Sequence, residues 1–276
     1  MGKIIAICNQ KGGTGKTTSA INIATYLALA EKKVLLIDLD PQANATSGLG
    51  INKHDIKKST YHVLLEELNI NETLQKTAIQ NLFVAPSNLD LTGAEVELVG
   101  ALGREYRLKR ALVKEREGFD FVFIDSPPSL GLLTINALCA AESLIIPVQC
   151  EYYALEGLSQ LVNTINLVKN NLNPSLAVEG VLLTMADFRT NLTKEVIQEV
   201  RDYFKDRVYN TVIPRSIRLT EAPSFGKPIA LYDNDSIGAQ KYAELAQEIL
   251  GIRSSGVSLD ISQKNETVEE NRSGEA

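Results

Sequence analysis

The run Gln10-Lys11-Gly12-Gly13-Thr14-Gly15-Lys16-Thr17-Thr18 carries the strongest chemical signal in the sequence. It follows a short β-rich run, Lys3–Cys8, and leads into a stretch with apolar Ala20, Ile23, Ala24 and Leu27 at helical spacing. Glycines at 12, 13 and 15 let successive backbone N–H groups turn inward around an anion. The helix that follows adds the positive end of its dipole. In this pattern Lys16 reaches the β- and γ-phosphates of a nucleotide, and the Thr17 hydroxyl ligates Mg²⁺. The general pattern G-x-x-x-x-G-K-[ST] asks for glycine at position 10, where this chain has Gln10, and Lys11 supplies a second lysine. Two readings of Lys11 are open: it points away as a surface charge, or it reaches a phosphate, including one held by another subunit. Two carboxylate motifs also end strand-like runs, Asp38-Leu39-Asp40-Pro41-Gln42 and Asp125-Ser126-Pro127-Pro128. Carboxylates at the C-terminal ends of parallel strands face the ligand crevice of such folds.

Strands and helices must alternate to place these groups together. Strand-like runs are Lys3–Cys8, Lys33–Asp38, Asn81–Pro86, Phe119–Asp125, Ser143–Val148 and Ala177–Thr184, with Arg207–Pro214 a weaker candidate. Helical patterns cover Leu89–Gly100, Arg104–Lys114, Leu132–Ala141, Leu155–Asn170, Leu192–Phe204 and Ser236–Leu250. Continuous apolar strands separated by helices indicate an α/β fold, a mostly parallel sheet with helices on both faces. The segment His54–Thr77 reads as a mostly helical, polar insertion. Residues 1–252 form one domain on this reading.

Composition narrows the classes. The 276 residues are 44% hydrophobic and 22% charged, an ordinary globular balance. A net charge of −6 excludes a wholly basic nucleic-acid binder but not a local basic patch. Three cysteines, Cys8, Cys139 and Cys150, cannot all pair and form no C-x-x-C, so a reducing compartment is expected. No apolar run is long enough to span a membrane, and the N-terminus does not read as a signal peptide or myristoylation site. A cytoplasmic protein is expected. Residues 253–276 carry five acidic and three basic residues with scattered apolar ones, and are expected to form an acidic disordered tail.

Lys-Gly-Gly-Thr-Gly-Lys-Thr-Thr, residues 11–18, resembles the deviant Walker A motif of the ParA/MinD ATPases, which have the P-loop NTPase fold. The resemblance implies an ATP- and Mg²⁺-dependent ATP hydrolase that works as a nucleotide-sandwich homodimer. It makes Lys11 the lysine that crosses to the partner's phosphates, and places Gly12 at the close dimer contact. Gly13, Thr14, Gly15, Lys16, Thr17 and Thr18 complete the nucleotide loop. Asp40 is similar to the residue that positions and polarises the attacking water. Asp125 resembles the Walker B carboxylate that holds a Mg²⁺ water, with Thr17 directly on the metal.

Within the family the sequence resembles the chromosomal ParA branch, often called Soj, over about residues 2–250. The motifs that carry this are Leu182-Leu183-Thr184-Met185, Arg189-Thr190-Asn191, Val212-Ile213-Pro214-Arg215 and the run 221–228, Glu-Ala-Pro-Ser-Phe-Gly-Lys-Pro. Pro214 is implied to pack on the adenine edge. Ser216 stands where relatives often carry Asn, so no adenine contact is assigned to it. Arg189 and Arg218 are implied to contact DNA backbone phosphates in the dimer. The segment 189–227 holds eight basic and five acidic residues, a net charge of +3, which by itself describes ordinary solvated helix faces.

The implied partners are a second copy of the chain with ATP, nonspecific double-stranded DNA, and a ParB-type centromere-binding protein. The implied setting is the nucleoid, and no membrane is expected. The acidic end lacks the basic amphipathic helix of MinD-type members, and no cysteine has the placement of the nitrogenase-reductase branch. A phosphate loop beginning about ten residues in leaves no room for the N-terminal DNA-binding domain of larger plasmid partition ATPases. Three alternatives stay open: a positioning ATPase for another cargo, a MinD-like membrane-surface switch, and a metabolic phosphotransferase acting on a small acceptor.

Overall fold

The computed structural model describes residues 2–151 and 154–252. The expected tail, 253–276, lies outside the described residues. Seven strands, β1 (Lys3–Ile7), β2 (Val34–Asp38), β3 (Gln75–Lys76), β4 (Leu82–Ala85), β5 (Phe121–Asp125), β6 (Ser143–Gln149) and β7 (Ala177–Thr184), form one sheet in the order β3-β4-β2-β5-β1-β6-β7. All neighbouring pairs are parallel except β3 with β4. The helices are α1 (Lys16–Leu29), α2 (Asn44–Gly48), α3 (Thr60–Leu65), α4 (Leu91–Glu97), α5 (Arg107–Leu112), α6 (Leu132–Ala140), α7 (Ala154–Asn171), α8 (Asn191–Phe204), α9 (Ile217–Glu221), α10 (Ile229–Tyr232) and α11 (Ile237–Ile249).

Alternation along each strand divides the core between the two sheet faces. Ile4, Ala6, Leu35, Ile37, Val122 and Ile124 point into one apolar layer, with α3 to α6 and α8 over it. Ile5, Ile7, Val34, Leu36 and Phe123 point into the other, under α1 and α11. Helix α1 is buried on almost every side, because it lies between the sheet, α2, α10 and α11. Its Ser19 hydroxyl and the Tyr242 hydroxyl of α11 meet at 3.0 Å, so the polar atoms of this contact are satisfied.

Two expectations are corrected. Arg207–Pro214 is not a strand: it runs beside β7 with only two isolated bridges, Val181–Val208 and Ala186–Pro214. Glu248 of α11 takes the N–H groups of Asn210 (2.7 Å) and Thr211 (3.1 Å), and Pro214 has none to give. The segment 54–77 is also less of an insertion than its polarity suggests. It contains α3, a 3₁₀ turn at Ile70–Glu72 and the edge strand β3, and it buries Val63, Leu64 and Ile70 in the shared core.

Candidate nucleotide-binding site

The phosphate loop leaves β1 at the centre of the sheet and ends at the first turn of α1. Asn9 fixes its entry. Its side-chain amide donates to the Pro147 carbonyl of β6 at 2.6 Å, and its Oδ1 accepts the Lys11 N–H at 3.1 Å. Gly13 and Gly15 take φ of 74° and 82°, the left-handed region that favours glycine, and Gly15 caps α1. A Cβ on Gly12 or Gly13 would meet nothing within 4 Å, so the loop backbone stands open. Thr184 at the end of β7 ties the far side down, its hydroxyl donating to the Thr14 carbonyl at 2.9 Å. Lys16 is buried and folds over the loop, with Nζ donating to the Lys11 carbonyl at 3.1 Å. Burial lowers its pKa, and Asp125, Cys8 and Asp40 pull the other way.

Two carboxylates stand side by side at the ends of adjacent strands. Asp38 and Asp125 are register partners in β2 and β5, and both are fully buried. Asp38 is well supplied with donors. Its Oδ2 accepts the Thr46 N–H (2.8 Å) and hydroxyl (2.7 Å), and its Oδ1 accepts the Asp40 N–H (3.0 Å). Burial nevertheless pushes it up to about 6. These bonds lock the turn that carries Asp40, whose own Oδ1 accepts the Gln42 N–H at 2.9 Å. Asp125 differs: neither carboxylate oxygen has a hydrogen-bond partner. Burial first, then the neighbouring Asp38 charge, raise its pKa well above the ordinary aspartate value, while the Thr17 hydroxyl faces it and pulls the other way.

A buried carboxylate without donors asks for a cation. Asp125 beside the Thr17 hydroxyl fits Mg²⁺, an oxygen-seeking ion that takes few protein ligands and keeps waters or phosphate oxygens. Among the described residues no group of three or more His, Cys, Asp or Glu is arranged to hold a metal. The three cysteines are free and buried, with Cys8 pushed up to about 12, Cys139 to about 11 and Cys150 to about 12 mainly by burial, which suits small core residues.

Beside the loop lies a cavity of about 270 Å³ lined by Gly15, Thr18, Met185, Pro214, Ser216 and Tyr242 among others. Pro214, far away in sequence, thus comes next to the loop residues Gly15 and Thr18. Lys11 lies outside this cluster, half exposed, with Nζ 3.8 Å from Glu151. Glu151 also pairs with Arg215 at 3.0 Å.

Among the described residues Arg189 and Arg218 make no ion pair with the loop or with each other. Arg189, just before α8, forks onto Asp187 at 2.8 and 2.6 Å. That fork pulls the Asp187 carboxyl down to about 2. Arg218 on α9 sits between Glu221 (3.1 Å) and Asp233 (3.2 Å). Sequence reasoning missed the supporting roles of Asn9, Asp38, Thr46 and Thr184. For Asp38 a signal existed, the spacing of two aspartates at a strand end, but nothing in the sequence marks Thr184 as a partner of Thr14.

An AAA domain family model matches residues 2–178. The sporulation initiation inhibitor protein Soj of Bacillus subtilis is 58% identical over 249 residues, covering 90% of this chain and 98% of that protein. The chromosome partitioning protein ParA of Myxococcus xanthus is 56% identical over 250 residues, covering 91% and 88% respectively. Among solved structures, a cobyrinic acid a,c-diamide synthase from Mycobacterium smegmatis with bound ADP and magnesium is 38% identical. It superposes with a TM-score of 0.80 over 93% of this chain and 97% of that one. No helix among the described residues is long and apolar enough to cross a membrane.

Proposed function

Since this chain belongs to the Soj/ParA family of chromosome-partitioning ATPases, we propose that it is an ATP-dependent dimer that binds nonspecific DNA and drives chromosome or plasmid partition with a ParB-type partner. The chain is a nucleotide-hydrolysing enzyme of that family. The observation that carries the reading is the meeting of an open phosphate loop, Lys16, Asp40 and Asp125 at the ends of β1, β2 and β5, with a cavity of base size beside Gly15 and Thr18. ATP is the nucleotide and Mg²⁺ its metal, held by Thr17 and, through water, by Asp125. Bound there, the ion offsets charge on the phosphate oxygens.

The protein's own residues do the rest. The N–H groups of Gly12 to Thr18 cradle the phosphates, and Lys16 offsets charge that develops on them. Pro214 packs on the adenine edge in the cavity. Asp40, held by the turn that Asp38 locks, orients and polarises the attacking water. Lys11 reaches the partner subunit's phosphates, so hydrolysis requires the dimer. Its pairing with Glu151 is half exposed and easily exchanged. Arg189 and Arg218 bind DNA backbone phosphates, which carry no sequence information. Two subunits double the phosphates neutralised, and affinity rises steeply with that number. ATP-driven dimerisation then switches DNA binding without a large change of shape, and places the protein on the nucleoid in the cytoplasm.

A second reading takes its support from the likeness to the cobyrinic acid a,c-diamide synthase: phosphoryl transfer to a small acceptor. Hydrolysis in the absence of any acceptor separates the two. The deciding experiment is sedimentation of Asp40→Ala protein on nonspecific duplex DNA, with ATP and with ADP, at two salt concentrations. Salt-sensitive binding with ATP alone is expected. Protein that dimerises but stays off DNA in both states would overturn the DNA reading and leave the ATPase.

A further inference from the structure

A groove of about 1130 Å³ runs along one side of α11. One wall is a single stripe of that helix, Ile237, Lys241, Glu244 and Glu248, at helical spacing. The other wall is Phe188 with the segment 210–214, and the groove ends at Ile252, where the described chain stops. Phe188, Ile237 and Ile252 are 55%, 50% and 51% exposed. Single apolar residues on a surface need no explanation, but three that line one groove mark a place where something packs.

The backbone of the 210–214 wall is an open edge. Ile213 donates its N–H to the Leu183 carbonyl at 2.9 Å and Arg215 to the Ala186 carbonyl at 3.0 Å, so both face β7 and the chain just after it. Alternation along an extended segment turns the N–H and carbonyl of Val212 the other way. Glu248 takes the two N–H groups before it, but among the described residues the Val212 N–H makes no hydrogen bond. An edge of this kind pairs with an extended segment.

The chain carries such a segment next to the groove. Residues 253–276 as a whole are too polar to form a core of their own. Within them Val257-Ser258-Leu259-Asp260-Ile261 alternates apolar and polar residues, the pattern of a strand with one buried face. Beyond Ile261 the apolar residues are Val268 and Ala276 alone. Gly251, with φ of 70°, turns the chain at the end of α11. The nine residues from Ile252 to Ile261 span roughly 30 Å when extended, whereas the helix stripe from Ile237 to Glu248 is about 17 Å long. The tail can therefore turn back and run the length of the groove.

We propose that Val257, Leu259 and Ile261 of this chain's own tail pack into the groove on Phe188 and Ile237, with the segment lying extended beside Val212. The tether favours this occupant, because it holds the tail at an effective concentration of about a millimolar, so even weak packing is populated. Glu244 and Glu248 on the helix wall disfavour a polyanion there. The inference stands whether or not the chain binds DNA.

The test is hydrogen exchange of the full chain, read against a synthetic peptide of residues 253–265. The amides of residues 258–262 should exchange at least tenfold more slowly in the chain than in the peptide. Leu259→Asp should return them to the peptide's rate, and so should the double variant Phe188→Ser, Ile237→Asp. Leu259→Asp leaves residues 2–252 unaltered, so a folding fault in the groove variant cannot account for both results. Slow exchange should persist on hundredfold dilution of the protein. Exchange at the peptide's rate in the wild-type chain overturns the inference. So does slow exchange that survives the groove variant, which would place the segment elsewhere. Slow exchange that is lost on dilution would give the groove to the tail of a second copy and overturn docking within one chain.

Discussion

At the ends of β1, β2 and β5, Lys16, Asp38 and Asp125 are buried, and Asp125 has no hydrogen-bond partner. On the surface around α8 and α9, Arg189 and Arg218 are more than half exposed and each is already paired with carboxylates. The first region holds charge where charge is costly, so its groups shift their pKa values and depend on what binds there. The second holds charge where water and salt screen it, so each ion pair adds little to the stability of the fold. On the proposed function, catalysis and DNA affinity would thus sit in environments that make one steep and the other adjustable.

The largest break in this comparison is Asp125→Asn. Hydrolysis should fall by about a hundredfold or more, the usual size for a lost charge contact at a phosphoryl group. The nucleotide-free protein should melt at a higher temperature than wild type near neutral pH, because a buried carboxyl whose ionisation burial and Asp38 oppose is replaced by a neutral amide. Phosphate release and thermal unfolding without nucleotide measure the two. A lower melting temperature would mean that Asp125 is satisfied in the folded chain. The pH dependence has a definite sign. Asp38 is raised to about 6 and Asp125 is raised as well, so the folded state holds protons that the unfolded state has released. Stability of the nucleotide-free protein therefore falls as pH rises from about 4 to 6 through Asp38, by up to about 1.4 kcal/mol per pH unit, with Asp125 acting in the same direction. The fall should be shallower in Asp125→Asn.

Lys11→Ala tests the group that lies between the two regions. It is half exposed, so its loss should change stability by less than about 1 kcal/mol. Hydrolysis should drop by about a hundredfold while the monomer keeps its nucleotide affinity within a few-fold. Equilibrium binding of a fluorescent nucleotide at protein concentrations below dimerisation decides it. Severe loss of monomer binding would return Lys11 to an ordinary role in its own loop.

How much of this was legible in the sequence follows from the same contrast. The strand–loop–helix at residues 3–29 was legible because glycine, lysine and threonine at fixed spacing have few other uses, and the strands were legible because buried parallel strands are apolar throughout. The 207–214 segment was misread because what keeps it out of the sheet is Glu248, a helix residue distant in the chain. The 54–77 segment looked peripheral because its core contribution is Val63, Leu64 and Ile70 among many polar residues. Pro214 reached its place beside the loop only through the resemblance; Asp187 and Glu221 lie within three residues of the arginines they pair with, but Asp233, the second partner of Arg218, was beyond any reading of spacing. Local chemistry can be read from neighbours in sequence; which distant acid quiets an arginine cannot.

The smallest expected effects lie at the basic surface, and they test whether its pairing is structural or merely a resting state. Arg189→Ala and Arg218→Ala should each leave thermal stability within about 0.5 kcal/mol of wild type, because the lost pairs are exposed. Both should keep ATP-driven dimers and lose DNA sedimentation at moderate salt. Retained DNA affinity in both variants would remove these arginines from the interface. Asp187→Asn makes the finer test. On the proposed DNA-binding role, Asp187 would compete with DNA phosphate for the Arg189 fork, which also holds the Asp187 carboxyl below its ordinary range. Freeing Arg189 should tighten DNA binding a few-fold. It should also leave the salt dependence nearly unchanged, since the number of phosphates contacted is the same. Weaker DNA binding would instead show that Asp187 holds Arg189 in the orientation DNA requires, and the pair would then belong to the binding surface rather than compete with it.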